Sequence, residues 1–172
     1  MERGFIQIYT GDGKGKTTAA LGLALRAAGR GLKVFFGQFV KGMPYGEHKA
    51  LERFSDLITV EQFGRECFIH RNPEPEDMEI ARRGWVRCRE ILRSGDYSVI
   101  ILDELGIALH YNLISLKEVQ EFLDRKPEET EIILTGRKIP EELIERADLV
   151  TEMREIKHYY TRGISAREGI EY

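Results

Sequence analysis

Gly11-Asp12-Gly13-Lys14-Gly15-Lys16-Thr17-Thr18 lies between an apolar run, Phe5, Ile6 and Ile8, and an Ala- and Leu-rich segment of helical period. Strand, glycine turn and helix in that order make an anion cradle. Glycines let the backbone curl until successive N–H groups point at one centre, and a helix starting near Lys16 adds the positive end of its dipole. Lys16 supplies a point charge, and the Thr17 hydroxyl is spaced to ligate Mg²⁺. The implied ligand is a nucleoside triphosphate held by Gly11, Asp12, Gly13, Lys14, Gly15, Lys16, Thr17 and Thr18. The common form of this loop, G-x-x-x-x-G-K-[ST], would place a glycine at position 10, where Thr10 stands; the glycine arrives at Gly11 and the loop is one residue tighter.

Outward from the loop, short apolar runs alternate with longer stretches of helical period, the pattern of a mostly parallel sheet covered by helices. Strands are predicted near Phe5 to Tyr9, Lys33 to Phe39, Leu57 to Gln62, Val99 to Asp103, Glu131 to Thr135 and Leu149 to Met153. Helices are predicted between them. One covers Lys16 to Ala28 and stops at Gly29, and a long one covers Pro75 to Arg93 and ends before Ser94-Gly95. The expected fold is α/β, a three-layer P-loop NTPase of RecA-like type with about six strands. In the long helix, Ala81, Trp85, Cys88 and Leu92 share one face and belong to the core, while Arg82, Arg83, Arg87, Arg89 and Arg93 form a solvated face. The segment from Phe63 to Pro75 is the longest irregular piece, of a length suited to a lid.

Composition narrows the rest. A chain of 172 residues with no repeat or linker suits one domain over residues 1–172. Net charge of −3 gives no general attraction to nucleic acid or to an anionic membrane. No segment has the apolar length of a membrane span, and a cytoplasmic location is expected. Cys67 and Cys88 lack C-x-x-C spacing, and His48, His70, His110 and His158 form no close ligand pattern, so Mg²⁺ carried with the phosphates is the metal expected.

Val99-Ile100-Ile101-Leu102-Asp103-Glu104 is a buried-strand run ending in two carboxylates, where an open parallel sheet places ligand-facing groups. It is the Walker B partner of the glycine loop: one carboxylate holds Mg²⁺ or its waters and the other orients a neighbour. Leu134-Thr135-Gly136-Arg137 brings Arg137 to the same sheet edge, as a phosphate contact or a structural ion pair. Gln38-Phe39-Val40-Lys41-Gly42 is a further loop of that edge, with a chemistry that composition leaves unread.

These stretches together resemble the P-loop ATP:corrinoid (cob(I)alamin) adenosyltransferases. The resemblance runs over nearly the whole chain, from Tyr9-Thr10-Gly11 through Thr18-Ala19-Ala20, Gln38 to Gly42, Leu102-Asp103-Glu104 and Leu134 to Arg137. It continues through Ala147 to Arg154 with Lys157-His158, and ends at Gly169-Ile170-Glu171-Tyr172. What the resemblance implies is a transferase of adenosylcobalamin biosynthesis or salvage. Co(I) of a corrinoid attacks the 5′ carbon of ATP, and the whole triphosphate leaves. It implies reversed nucleotide polarity in the cradle, for which the shortened loop offers a physical motive.

By the same resemblance Lys16 and Glu104 are catalytic, Thr17 and Glu104 hold Mg²⁺ with Asp103 supporting the strand end, and Lys41 and Arg137 lie near substrate. The family's Gly-Phe-Thr-Trp in the irregular loop stands here as Cys67-Phe68-Ile69-His70. Phe68 keeps an aromatic ring for the corrin, and His70 is a residue able to coordinate or hydrogen-bond. Well-studied members also carry an extension before the first strand, where this chain has almost nothing. A flavoprotein reductant and a homodimer are further family expectations. The competing classes are a small-molecule kinase, which would yield ADP, and a nucleotide-dependent binding ATPase stimulated by a macromolecule.

Overall fold

The computed structural model describes residues 2–43, 45–65 and 72–171. Its strands are β1 (Ile6–Thr10), β2 (Val34–Phe39), β3 (Ile58–Phe63), β4 (Val99–Asp103), β5 (Glu131–Thr135) and β6 (Leu149–Glu152). The α-helices are α1 (Lys16–Ala28), α2 (Gly46–Leu51), α3 (Pro75–Ser94), α4 (Leu105–His110), α5 (Leu116–Asp124) and α6 (Glu141–Arg146). The strands form one sheet in the order β3-β2-β4-β5-β1-β6, every pair parallel. Sequence expectation and structure agree to within about one residue at each strand.

Two apolar clusters, one on each face of the sheet, explain why the inner strands read as continuous apolar runs. Because side chains alternate along a strand, Phe35, Ile100, Leu102, Ile132 and Leu134 join one cluster, with Trp85 of α3, Leu105 of α4, Phe122 of α5 and Leu143 of α6. Val34, Phe36, Val99, Ile101 and Ile133 join the other, beneath α1. Helix α1 offers Ala20, Ala24, Ala27 and Ala28 to that face. Side chains this small seat the helix close to the strands, which fixes the position of its first turn.

On the opposite face Ala81, Trp85, Cys88 and Leu92 are all buried, as their spacing predicts. Trp85 lies 5.2 Å from the Phe122 ring and 6.4 Å from the Phe39 ring, in tilted contacts. Gly95, in the left-handed conformation at φ 70°, ends α3. Of the predicted arginine face, Arg82 pairs with Glu118 at 2.6 Å and Arg87 with Glu61 at 3.0 Å. Cys67, Phe68 and His70, and so the aromatic and histidine expectations placed on them, lie outside the described residues. Among the described residues, no helix is long and apolar enough to cross a membrane.

The strand order places the site. The chain runs from β1 across to β2, outward to β3, back through β4 and β5, and past β1 to β6. Loops after β1 and β2 therefore diverge at one edge, the crevice in which open α/β sheets bind ligands. One strand, β5, separates the glycine loop from the carboxylates that end β4.

Candidate active site

The loop leaves β1 at Thr10 and enters α1 at Lys16 through Gly11 at φ 93° and Gly15 at φ 120°, angles that L side chains rarely adopt. Space enforces the same choice. A Cβ on Gly11 would stand 2.5 Å from the carbonyl oxygen of Met153, and one on Gly13 would stand 2.7 Å from that atom. The Gly13 N–H donates to the same carbonyl at 2.7 Å, and the Met153 N–H donates to Thr10 at 2.8 Å. Among the described residues no side chain caps the N-terminus of α1, and no acidic residue sits in its first turn. Its free N–H groups and dipole face the crevice as an anion-binding end.

Lys16 is buried, and its ammonium arches over the loop to donate to the carbonyls of Gly11 and Gly13, both at 2.8 Å. Burial pulls its pKa below the ordinary lysine value, against the attraction of Glu104, with Arg137 adding repulsion. Lys14 points away. Its Nζ donates to Glu171 at 2.7 Å, to the Ile170 carbonyl at 3.0 Å and to the Tyr159 hydroxyl at 3.2 Å. What Lys14 presents to the crevice in this arrangement is backbone.

Asp103 anchors the other wall. It is fully buried and accepts from the Thr17 hydroxyl at 3.0 Å, the Thr135 hydroxyl at 2.6 Å, Gln38 Nε2 at 3.1 Å and Lys41 Nζ at 3.0 Å. Lys41 also donates to Thr17 at 3.1 Å and stands 3.8 Å from Glu104. Burial disfavours the Lys41 ammonium, but Asp103 and Glu104 outweigh it and hold its pKa above the ordinary value. Glu104 responds in the opposite sense: burial, then repulsion from Asp103, raises its carboxyl pKa against the pull of Lys41, Lys16 and Arg137.

Backbone strain concentrates at this edge. Val40, Glu104 and Lys138 have positive φ of 61°, 56° and 57°, and they follow β2, β4 and β5 respectively. Such outliers persist where surroundings over-determine them, commonly at functional sites. The Glu104 N–H donates to the Thr135 hydroxyl at 3.0 Å, which helps hold the turn. Arg137, just before Lys138, donates to the Asp12 carbonyl at 3.1 Å and so reaches the glycine loop from β5.

The predicted Thr17, Lys41, Asp103 and Glu104 converge, with Lys16 and Arg137 close by; the Lys14 side chain lies outside that group. Sequence reasoning missed Thr135 and the role of Gln38. The available signal was a polar side chain near the end of an otherwise apolar strand. It also missed His48, which donates through Nε2 to Gln38 Oε1 at 2.6 Å while Nδ1 accepts the Tyr45 N–H at 2.9 Å. Accepting at Nδ1 fixes the neutral tautomer, and burial lowers its pKa below the ordinary histidine value.

Among the described residues no three His, Cys, Asp or Glu side chains converge as a metal cage. The donors at hand, a threonine hydroxyl and two carboxylates, are hard oxygens that suit Mg²⁺ shared with phosphate.

A family model described as ATP:corrinoid adenosyltransferase BtuR/CobO/CobP matches residues 2–172. A corrinoid adenosyltransferase of Sinorhizobium sp is 40% identical, over 99% of this chain and 81% of its own length. One of Escherichia coli K12 is 38% identical, over 99% of this chain and 87% of its own. Corrinoid adenosyltransferase CobA of Salmonella typhimurium is 36% identical over the same shares.

Proposed function

The chain belongs to the family of ATP:corrinoid adenosyltransferases, and we propose that it moves the 5′-deoxyadenosyl group of ATP to the reduced cobalt of a corrinoid, in adenosylcobalamin biosynthesis or salvage. The observation that carries the reading is the glycine loop on the uncapped end of α1, set opposite the Asp103–Glu104 strand end. The electron pair of Co(I) forms the bond to C5′. The C5′–oxygen bond breaks, and its electrons leave with the triphosphate. No side chain acts as nucleophile, so the protein's task is to orient C5′ and to neutralise charge growing on the leaving group.

Lys16 and the α1 N–H groups perform that neutralisation. Mg²⁺, held by Thr17 and Glu104, would supply further positive charge to the phosphates. Asp103 has its oxygens occupied by four donors, which supports a supporting role behind Thr17 rather than direct ligation. Lys41 and Arg137 flank the phosphates, and Phe68 offers a ring to the corrin. The one-residue contraction of the loop favours reversed seating of the triphosphate. A bound-ATP structure with the γ-phosphate in the ordinary ATPase position would sink that part.

The reading carries with it an external flavoprotein reductant, a homodimer, a single domain over residues 1–172 and a cytoplasmic location. The substrate is cobalamin or a cobinamide-type corrinoid. Purified protein mixed with ATP, Mg²⁺ and chemically reduced cobalamin should give the visible spectrum of an alkylated corrinoid and release inorganic triphosphate. ADP as the nucleotide product, without alkylated corrinoid, would assign the site to a kinase instead.

A further inference from the structure

The three loop glycines lie against a segment far away in the chain. Met153 and Arg154 follow β6 and pass so close that side chains at Gly11 and Gly13 would collide with their backbone, and one on Gly15 would press on Met153 Sδ at 3.1 Å. Beyond them the chain turns through a short 3₁₀ helix, Tyr159–Arg162, and comes back to the loop at Ile170 and Glu171.

Glu171 closes the circuit. Besides Lys14 at 2.7 Å it accepts from the Tyr159 hydroxyl, from the Arg167 N–H at 2.8 Å and from Arg167 Nε at 3.3 Å. The Tyr159 ring sits under both cations, 5.9 Å from Lys14 Nζ and 4.9 Å from Arg167 Cζ. The Glu171 side chain is only 15% exposed, and its carboxylate is the acceptor on which all three partners converge.

A cradle with glycine at three of five positions pays a large ordering entropy when it closes on an anion, unless something else holds it first. We infer that the carboxyl-terminal tail is that hold: Glu171, braced by Tyr159 and Arg167, is a positioning residue that fixes the glycine loop through Lys14 for ATP. This rests on the adenosyltransferase reading above and adds a residue to it. The tail grips the loop in two places, the Gly13 amide at Met153 and the Lys14 ammonium at Glu171. The intervening peptide keeps its inner face toward the crevice. Electrostatics alone argues the other way, since freeing Lys14 from Glu171 adds positive charge near the triphosphate. The two ideas therefore differ in sign.

The test is calorimetric ATP binding, with Mg²⁺, to the full chain and to Glu171→Gln, paired with KM and kcat for reduced cobalamin as acceptor. The expected result is an ATP Kd and KM raised about three- to tenfold, the scale of one partly buried ion pair, with kcat at saturating ATP within about twofold. Lys14→Ala combined with Glu171→Gln should bind ATP no more weakly than the worse single variant, because both remove one link. Tyr159→Phe, which keeps the ring and loses the hydroxyl, should show a smaller rise of the same kind, and serves if Glu171→Gln does not fold. ATP binding unchanged or tighter in Glu171→Gln or Tyr159→Phe, or a fall in kcat without a change in Kd, would overturn the inference. Wild-type protein that binds ATP but forms no alkylated corrinoid would overturn the reaction assigned to it and leave the comparison of Kd values standing.

Discussion

Asp103 and Lys14 carry charges beside the same glycine loop, yet the interior of the sheet holds one and the end of the chain holds the other. Asp103 has no exposed surface and takes donors from the first turn of α1, β2, the loop after β2 and β5. The Lys14 side chain is 44% exposed, and all three of its hydrogen-bond partners come from the last 14 residues. A buried, fully satisfied polar network is rigid but fails badly when one member is lost. A surface clamp contributes little to global stability and is free to tune affinity. The cradle thus has a wall set by folding and a wall set by tail docking.

The sharpest way to break the contrast is Asp103→Ala. It leaves Lys41 charged in a mostly buried setting, with Glu104 at 3.8 Å as its remaining carboxylate among the described residues, and removal of one partner of such a pair costs about 3–5 kcal/mol. Urea unfolding should register that loss, whereas Lys14→Ala should leave the thermal midpoint within about 2 °C of wild type. Equal destabilisation by the two would erase the distinction between the walls.

Next in size is Lys16→Ala, which should cut kcat by about 10²- to 10³-fold, the usual loss on deleting one preorganised charge-stabilising donor. Its fold should remain intact. Near-normal turnover at saturating ATP would mean that the helix end and Mg²⁺ neutralise the triphosphate without it.

The smallest effect concerns the rim of the buried wall. His48 is required neutral, and its pKa is lowered by burial, so the unfolded chain binds the proton more readily. Its contribution is complete above the ordinary histidine value of about 6.5 and is lost as pH falls from there through the lower folded value. Stability measured by urea midpoint should decline over that window in wild type. The decline should flatten in His48→Gln, by about 0.5 kcal/mol, the low end for one hydrogen bond. An identical slope in both proteins would detach His48 from the Asp103 network.

What could be read from the sequence follows the same division. β2, β4 and β5 were legible because burial on both faces makes them unbroken apolar runs between turn residues. The glycine loop was legible because phosphate chemistry demands particular residues at close spacing. Gln38 and Thr135 were harder, since one polar residue at a strand end reads equally as the start of a loop. The Lys14–Glu171 contact spans 157 positions and joins two ordinary charged residues, so no local pattern announces it. The strand order was likewise hidden. Apolar runs specify that strands exist, but insertion of β5 between β1 and β4 depends on how the crossovers pack.

Among the described residues β6 is the outermost strand on its side, all four of its residues are exposed, and it pairs with β1, whose end becomes the glycine loop. Fraying at that margin would therefore strip support from the glycine loop before disturbing Trp85 or the inner strands. The amide protons of Ile8 and Thr10, on the β6 side of β1, should exchange with deuterium sooner than those of Gln7 and Tyr9 on the β5 side, tying an exposed border to the turn that follows it.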